Sequence, residues 1–228
     1  DTYEFIHDQV QHGGYALVDE EDRPRVHLEI GRLLLSNAVS DELEVALFNI
    51  VHHFNAGGAL LKSESERIEV AEFNLKAAQK ARNAAAYAEG LRYTEHGLAL
   101  LGADSWQDDY DLTLALHNEA AEGAYLTGDY DTLEEIESRI HKNGRSILDR
   151  ARIYHIRIQA DADRGNSLAA IETGISALAE LGIKIPHEPT PEDYQHFQAE
   201  FSEALAGRSI EGLVHLPAVT DRSALAAM

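Results

Sequence analysis

The sequence predicts an all-α fold, a right-handed superhelix of antiparallel helical hairpins of the tetratricopeptide-like kind, and three observations lead there. The chain is rich in Ala, Leu, Glu and Ile, with only 5 Pro in 228 residues and 7% aromatics, a balance that helix propensity favours. Apolar residues recur three and four positions apart along most of its length, the period of a helix with one buried face. Glycines interrupt these stretches at near-regular intervals: Gly102 to Gly144 is 42 residues, Gly144 to Gly182 is 38 and Gly128 to Gly165 is 37. Those intervals lie near the roughly 34 residues of a tetratricopeptide repeat and the roughly 40–47 of other helical arrays.

Three helical segments come first, over about 2–17, 24–35 and 41–56, divided by the polar stretches 19–23 and 36–40. They do not share the later spacing, so residues 1–62 form a separate N-terminal segment. Residues 63–185 hold the repeats. In the first hairpin Phe73, Leu75, Ala78 and Ala81 precede Tyr87, Leu91, Leu98 and Leu101, and the turn over 83–86 lacks a glycine. The second places Leu112, Leu116, Ala120, Ala124 and Tyr125 before Gly128, then Leu133, Ile136 and Ile140 on the return helix. The third repeats the plan with Ile153, Ile156, Ile158 and Ala162 before Gly165, then Leu168, Ile171, Ile175 and Leu178 before Gly182.

The run IKIPHEPTPED then ends the repeats. Thr190 is a good N-cap, with Pro191 at the first helical position and Asp193 at the third, so a helix is expected over about 191–205. The last residues, SALAAM, read as an Ala-rich helix, and 186–228 are expected to continue the array with C-terminal helices.

Charge and composition then exclude function classes. The 40 acidic against 19 basic residues give a net charge of -21, which repels phosphate backbones and argues against a nucleic-acid partner. Without cysteine there are no disulfides, thiolate nucleophiles or thiolate metal ligands, and a cytoplasmic location is the default expectation. No run approaches the ~18–20 apolar residues that span a bilayer, and DTYEFIHDQV lacks the basic-then-apolar form of a signal peptide.

Twelve histidines invite a metal or acid–base reading. His52 and His53 are adjacent and point about 100° apart on a helix, which argues against one shared metal. His7 and His12 are five apart, a poor face match, and His27, His96, His117, His141, His155, His187, His196 and His215 are isolated in sequence. No convergence, no metal and no cofactor are therefore expected. Asp19, Glu20, Glu21 and Asp22 are expected to favour a helix N-terminus electrostatically. Gly57-Gly58 has no phosphate-loop context, since neither GxxxxGK[ST] nor GxGxxG occurs. Trp106 is read as a staple between hairpins, with a ligand anchor as the alternative. Stacked hairpins present a groove lined by the first helix of each pair, for which the candidates are Asn74, Lys76, His117, Glu119, Arg152, His155 and Gln159.

A family resemblance is also legible. FIHDQVQHGGYALVDEEDRPRVHLEIGRLLL resembles the segment that follows the nucleotide-binding module in large bacterial AAA-type, signal-transducing ATPases fused to sensor kinases. The likeness continues through LFNIVHHFNAGGALL, ERIEVAEFNLKAAQKARNAAAYAEGLRYTEHGLALLG, DSWQDDYDLTLALHNEAAEGAYLTGDYDTLE and HLPAVTD.

The resemblance implies a helical repeat region set between a serine/threonine-kinase-like domain with its ATPase and a GAF sensor with a histidine kinase, none of whose catalytic motifs occurs here. It implies a non-catalytic scaffold that relays signals between those domains or to a protein partner, or alternatively a small-ligand sensor on the concave surface. It also implies that residues 1–62 include a winged-helix remnant, in which His7 and Asp8 match a His-Asp pair that contacts bound ADP. Gly13-Gly14 departs from the small Ala residues usual there and loosens the helix beyond His7.

Overall fold

The computed structural model describes residues 17–38, 40–205 and 218–227, and for 40–43 the backbone alone. Among the described residues the regular structure is helical, with no strand. In order it comprises α1 (Arg23–Asn37), α2 (Ser40–Gly57), a 3₁₀ turn (Gly58–Leu60), α3 (Glu64–Asn83), α4 (Tyr87–Leu100), α5 (Ser105–Asp108), α6 (Tyr110–Thr127), α7 (Tyr130–Asn143), α8 (Ile147–Asp163), α9 (Ser167–Glu180), α10 (Pro191–Leu205) and α11 (Arg222–Ala227). The chain divides into two compact units, Asp1–Leu133 and Glu134–Met228, a division that falls inside α7 and within the stretch read as repeats.

In the first unit α1 packs on α2, α2 on α3, α3 on α4, and α6 on both α3 and α4. Leu28, Ile50, Phe54, Leu61 and Val70 form one buried cluster, and Leu47, Val51, Phe73 and Ala77 a second. Small residues set how closely the helices approach. Gly57 has an ordinary negative φ of -101°, yet a Cβ there would lie 2.6 Å from the Pro24 carbonyl oxygen and 2.9 Å from the Leu28 Cβ. Glycine is needed at that point for space rather than for conformation.

The hairpin turns share one local device. Asp129 N–H donates to the Ala124 carbonyl and Asn166 N–H to that of Asp161, each bond closing a helix behind a left-handed glycine, Gly128 or Gly165. Gly182 ends α9 the same way, with Ile183 N–H on the Leu178 carbonyl. The first hairpin repeats the bond, from Ala86 N–H to the Ala81 carbonyl, but with Ala85 at φ 58° where the others place glycine. The turn geometry has been kept while the residue suited to it has not.

In the second unit α8 and α9 form a hairpin and α11 lies against α8. Ile153, Ile156, Ala160 and Ala170 are buried, as are Ile136 and Ile140 of α7. On α9 the apolar spacing falls on a helix as expected, but Leu168 is 78% and Ile171 56% exposed while Ala170 is buried. The helical period marked an apolar face correctly, but nothing among the described residues covers that part of it. Helix α10 spans 191–205 as expected, and Thr190 and Asp193 form a reciprocal cap: Asp193 N–H donates to Thr190 Oγ1 at 3.2 Å and Thr190 N–H to Asp193 Oδ2 at 2.8 Å.

Candidate functional site: a helical groove, buried polar pairs and a histidine cluster

Helix α8 starts at a capping box, in which Asp149 N–H donates to Ser146 Oγ at 3.3 Å and Ser146 N–H to Asp149 Oδ2 at 2.8 Å. That fixed start presents Ile147, Ala151 and Ile158 toward Ala177, Leu178 and Leu181 of α9, and together they line an apolar cavity of about 160 Å³. His155 stands on its lining and is exposed, and Arg152 and Gln159 are exposed on the same helix. Of the residues expected on the groove, these three lie on accessible surface and one meets a cavity.

The hairpin is tied by a polar clasp. Tyr154 Oη donates to Glu180 Oε1 at 2.5 Å and Arg150 Nη2 to Glu180 Oε2 at 2.7 Å. Burial, and then the bond to Glu180, push the Tyr154 hydroxyl up to about 12, while those two donors hold the Glu180 carboxyl below its usual range. The hydroxyl therefore stays protonated, as a fixed donor. Arg157 spans Asp161 at 2.9 Å and Glu137 at 3.3 Å, and His141 packs edge-on to Tyr154 at 5.0 Å between ring centroids.

Three other groove candidates lie in the interior, which corrects the expectation for them. Asn74 is fully buried and exchanges two amide hydrogen bonds with Asn55, each 2.9 Å, joining α2 to α3. His117 is buried with Nδ1 2.8 Å from the Thr113 carbonyl and its ring 4.8 Å from that of Trp106. Glu119, 3% exposed, receives Arg82 Nε at 2.5 Å. A polar residue on an inward face of a helix is stable if it finds a partner there, from a neighbouring helix for Asn74 and Glu119 and from one turn back on its own helix for His117, and single-helix periodicity does not display which face a neighbour covers. Trp106 and Tyr110 pack edge to face at 5.8 Å, so Trp106 fixes the short α5 onto α6.

Lys76 is exposed and lines a second cavity, of about 470 Å³, with Leu47, Phe73 and Lys80. Its Nζ lies 5.5 Å from the Phe73 ring centroid, and Lys80 Nζ lies 5.7 Å from that of Phe48, which stacks on Tyr93. His7 and Asp8 lie outside the described residues.

The histidines are not all isolated. His27 of α1 and His53 of α2 place their Nδ1 atoms 2.8 Å apart, and His52 joins them with ring centroids 5.8 Å from His27 and 5.4 Å from His53. One Nδ1 must donate and the other accept, so the accepting ring is neutral at that nitrogen. Burial, and then the neighbouring imidazoles, lower His53 to about 4, and His27 is lowered by burial and by His52. Adjacent residues on one helix diverge, but a third ring from the neighbouring helix lies within reach of both. Among the described residues no group of three or more His, Asp or Glu side chains is arranged to hold a metal ion.

Among the described residues the chain is all-helical. No family model matches the chain, and no solved structure does. The chain is similar to hybrid signal transduction histidine kinase G of Dictyostelium discoideum, 24% identical over an alignment of 231 positions that takes in 86% of this chain and 6% of the kinase. It thus spans a small fraction of that relative's length. No helix among the described residues is long and apolar enough to cross a membrane.

Proposed function

We propose that this chain is a tetratricopeptide-like scaffold of a multidomain signalling protein, without catalysis of its own, which relays state between flanking domains or to a protein partner. The observation that carries this reading is the apolar face of α9, with Leu168 and Ile171 exposed at the edge of a helical hairpin. An uncovered edge of this kind is where an array accepts its next helix or a partner. The successive packing of α1 through α4 and α6, the recurring left-handed turns and the similarity to a histidine kinase support the same reading. The flanking domains suggested by the sequence resemblance are a signal-transducing ATPase, a GAF sensor and a histidine kinase, in the cytoplasm, with a winged-helix remnant leading in.

The test is autophosphorylation of the chain fused to a histidine-kinase domain in its native polypeptide. Leu168→Asp with Ile171→Asp is expected to change the rate by about fivefold or more, the lower end of ordinary coupling between sites. Helix content and melting temperature should hold, because both side chains are exposed. An unchanged rate refutes the relay reading. The cavity beside Lys76 favours a second reading, a small-ligand sensor, for which a ligand-dependent rise in melting temperature that Lys76→Ala abolishes is the signature.

A further inference from the structure

Two histidines from different helices meet on a rigid support. Where α1 and α2 pack, a Cβ at Gly57 would lie 2.6 Å from the Pro24 carbonyl oxygen and one at Gly31 would lie 3.2 Å from the Phe54 ring. These close approaches fall on either side of His27 along α1. Leu28, Ile50 and Phe54, neighbours of His27 and His53 on the two helices, belong to one buried cluster. His27 and His53 are themselves half-buried, so solvent reaches their rings while the backbones that carry them are held.

The two rings aim at each other, with Nδ1 atoms 2.8 Å and centroids 4.9 Å apart. One proton is shared across that gap, since one nitrogen donates and the other accepts. A metal ion bound through bonds of about 2.0–2.1 Å would set its two nitrogens about 2.9 Å apart at a right angle, and about 3.3 Å apart at the tetrahedral angle. The observed 2.8 Å is within about 0.1 Å of the first arrangement and roughly 0.5 Å short of the second. Right-angled nitrogen ligation suits Cu2+ and Ni2+, whereas tetrahedral ligation suits Zn2+. Each ring must turn about χ2 to point its lone pair at one ion, and that torsion is broad in histidine. The donating ring gives up its Nδ1 proton and takes one at Nε2 through solvent, so no net proton is released.

We propose that His27 and His53 form a two-imidazole site for a divalent transition-metal ion of the Cu2+ or Ni2+ kind, held in neighbouring coordination positions by the two Nδ1 atoms, so that the ion clamps α1 to α2. The net charge of -21 draws cations to the chain, and imidazole then selects these ions over the hard cations that prefer oxygen. No group of three His, Asp or Glu among the described residues is arranged to share one ion, so water completes the coordination. The site does not depend on the scaffold reading.

The experiment uses the full chain without a histidine tag and follows Trp106 fluorescence on heating, which reports on the unit that holds both histidines. Ni2+ at about ten times its dissociation constant is expected to raise the melting temperature by roughly 3–6 °C. Mg2+ at the same concentration should not. His27→Gln and His53→Gln, each read against its own metal-free melting temperature, should weaken Ni2+ binding in calorimetric titration at least about tenfold, the loss that follows even when a group behind a metal ligand is removed. His196→Gln, which removes the exposed His196–Glu200 pair of α10, should leave that binding unchanged. With Cu2+, electron paramagnetic resonance of the natural chain should show splitting from two imidazole nitrogens, a readout that needs no variant to fold. A shift that Mg2+ reproduces, binding that survives both His27→Gln and His53→Gln, or Cu2+ splitting from fewer than two nitrogens overturns the proposal.

Discussion

Replacing Ala85 by glycine should stabilise the first unit. Ala85 sits at φ 58° in the α3–α4 turn, where it closes the same hydrogen-bonded motif that Gly128 and Gly165 close in the later turns. An L-residue with a Cβ pays about 1–2 kcal/mol for the left-handed region. Glycine loses about 0.5–1 kcal/mol more backbone entropy on folding, which offsets part of that gain. The net expected from Ala85→Gly is a stabilisation of roughly 0.5–1 kcal/mol, or about 2–4 °C in melting temperature for a unit of this size. Gly128→Ala is the mirror experiment, because a Cβ there meets nothing within 4 Å and only backbone strain is added. It should cost a similar amount.

The assay is tryptophan-fluorescence melting, since the one tryptophan, Trp106, belongs to Asp1–Leu133 and so reports on this unit. Opposite shifts of comparable size are the expected result. If Ala85→Gly lowers the melting temperature, or if both substitutions are silent, the shared turn motif is not what closes these hairpins.

Acid should weaken the α1–α2 contact through the histidine cluster. The folded state holds His53 near 4 and lowers His27, against an ordinary value of 6.5, so the unfolded chain takes up these protons first as pH falls. Stability is fully present above about pH 6.5 and is lost between there and about pH 4. The His53 shift corresponds to at most about 3.5 kcal/mol at ~1.4 kcal/mol per unit, and solvent screening of this partly exposed ring reduces that to about 1–2 kcal/mol. Denaturation of His53→Gln against the natural chain at pH 7 and pH 5 should show a smaller acid loss in the variant; an equal loss would assign the effect to the carboxylates alone. In the buried amide pair, Asn74→Ala strands Asn55 and should cost about 1–3 kcal/mol in urea unfolding, whereas Asn55→Leu with Asn74→Leu should recover much of it. No recovery would mean that the pair sets helix register rather than merely satisfying two polar groups.

The sequence by itself determined helix content, the placement of α3, α4 and α6 to α9, and the capped helix that begins at Pro191, because propensity, period and capping are local and act within a few residues. It also marked the turns wherever glycine announced them. It missed the left-handed Ala85, since alanine carries no turn signal. Only the tertiary structure decided which polar residues are interior. Asn74, His117 and Glu119 share a chain with the exposed Lys76, Arg152, His155 and Gln159, and the difference between them is whether a neighbouring helix brings packing or a partner such as Asn55, Trp106 or Arg82. His27 likewise meets His53 from 26 positions away, and the cavity beneath Ala226 depends on α11 meeting a hairpin that ends more than forty residues earlier. Such meetings are set by how helices cross, and the periodicity of one helix holds no record of what crosses it.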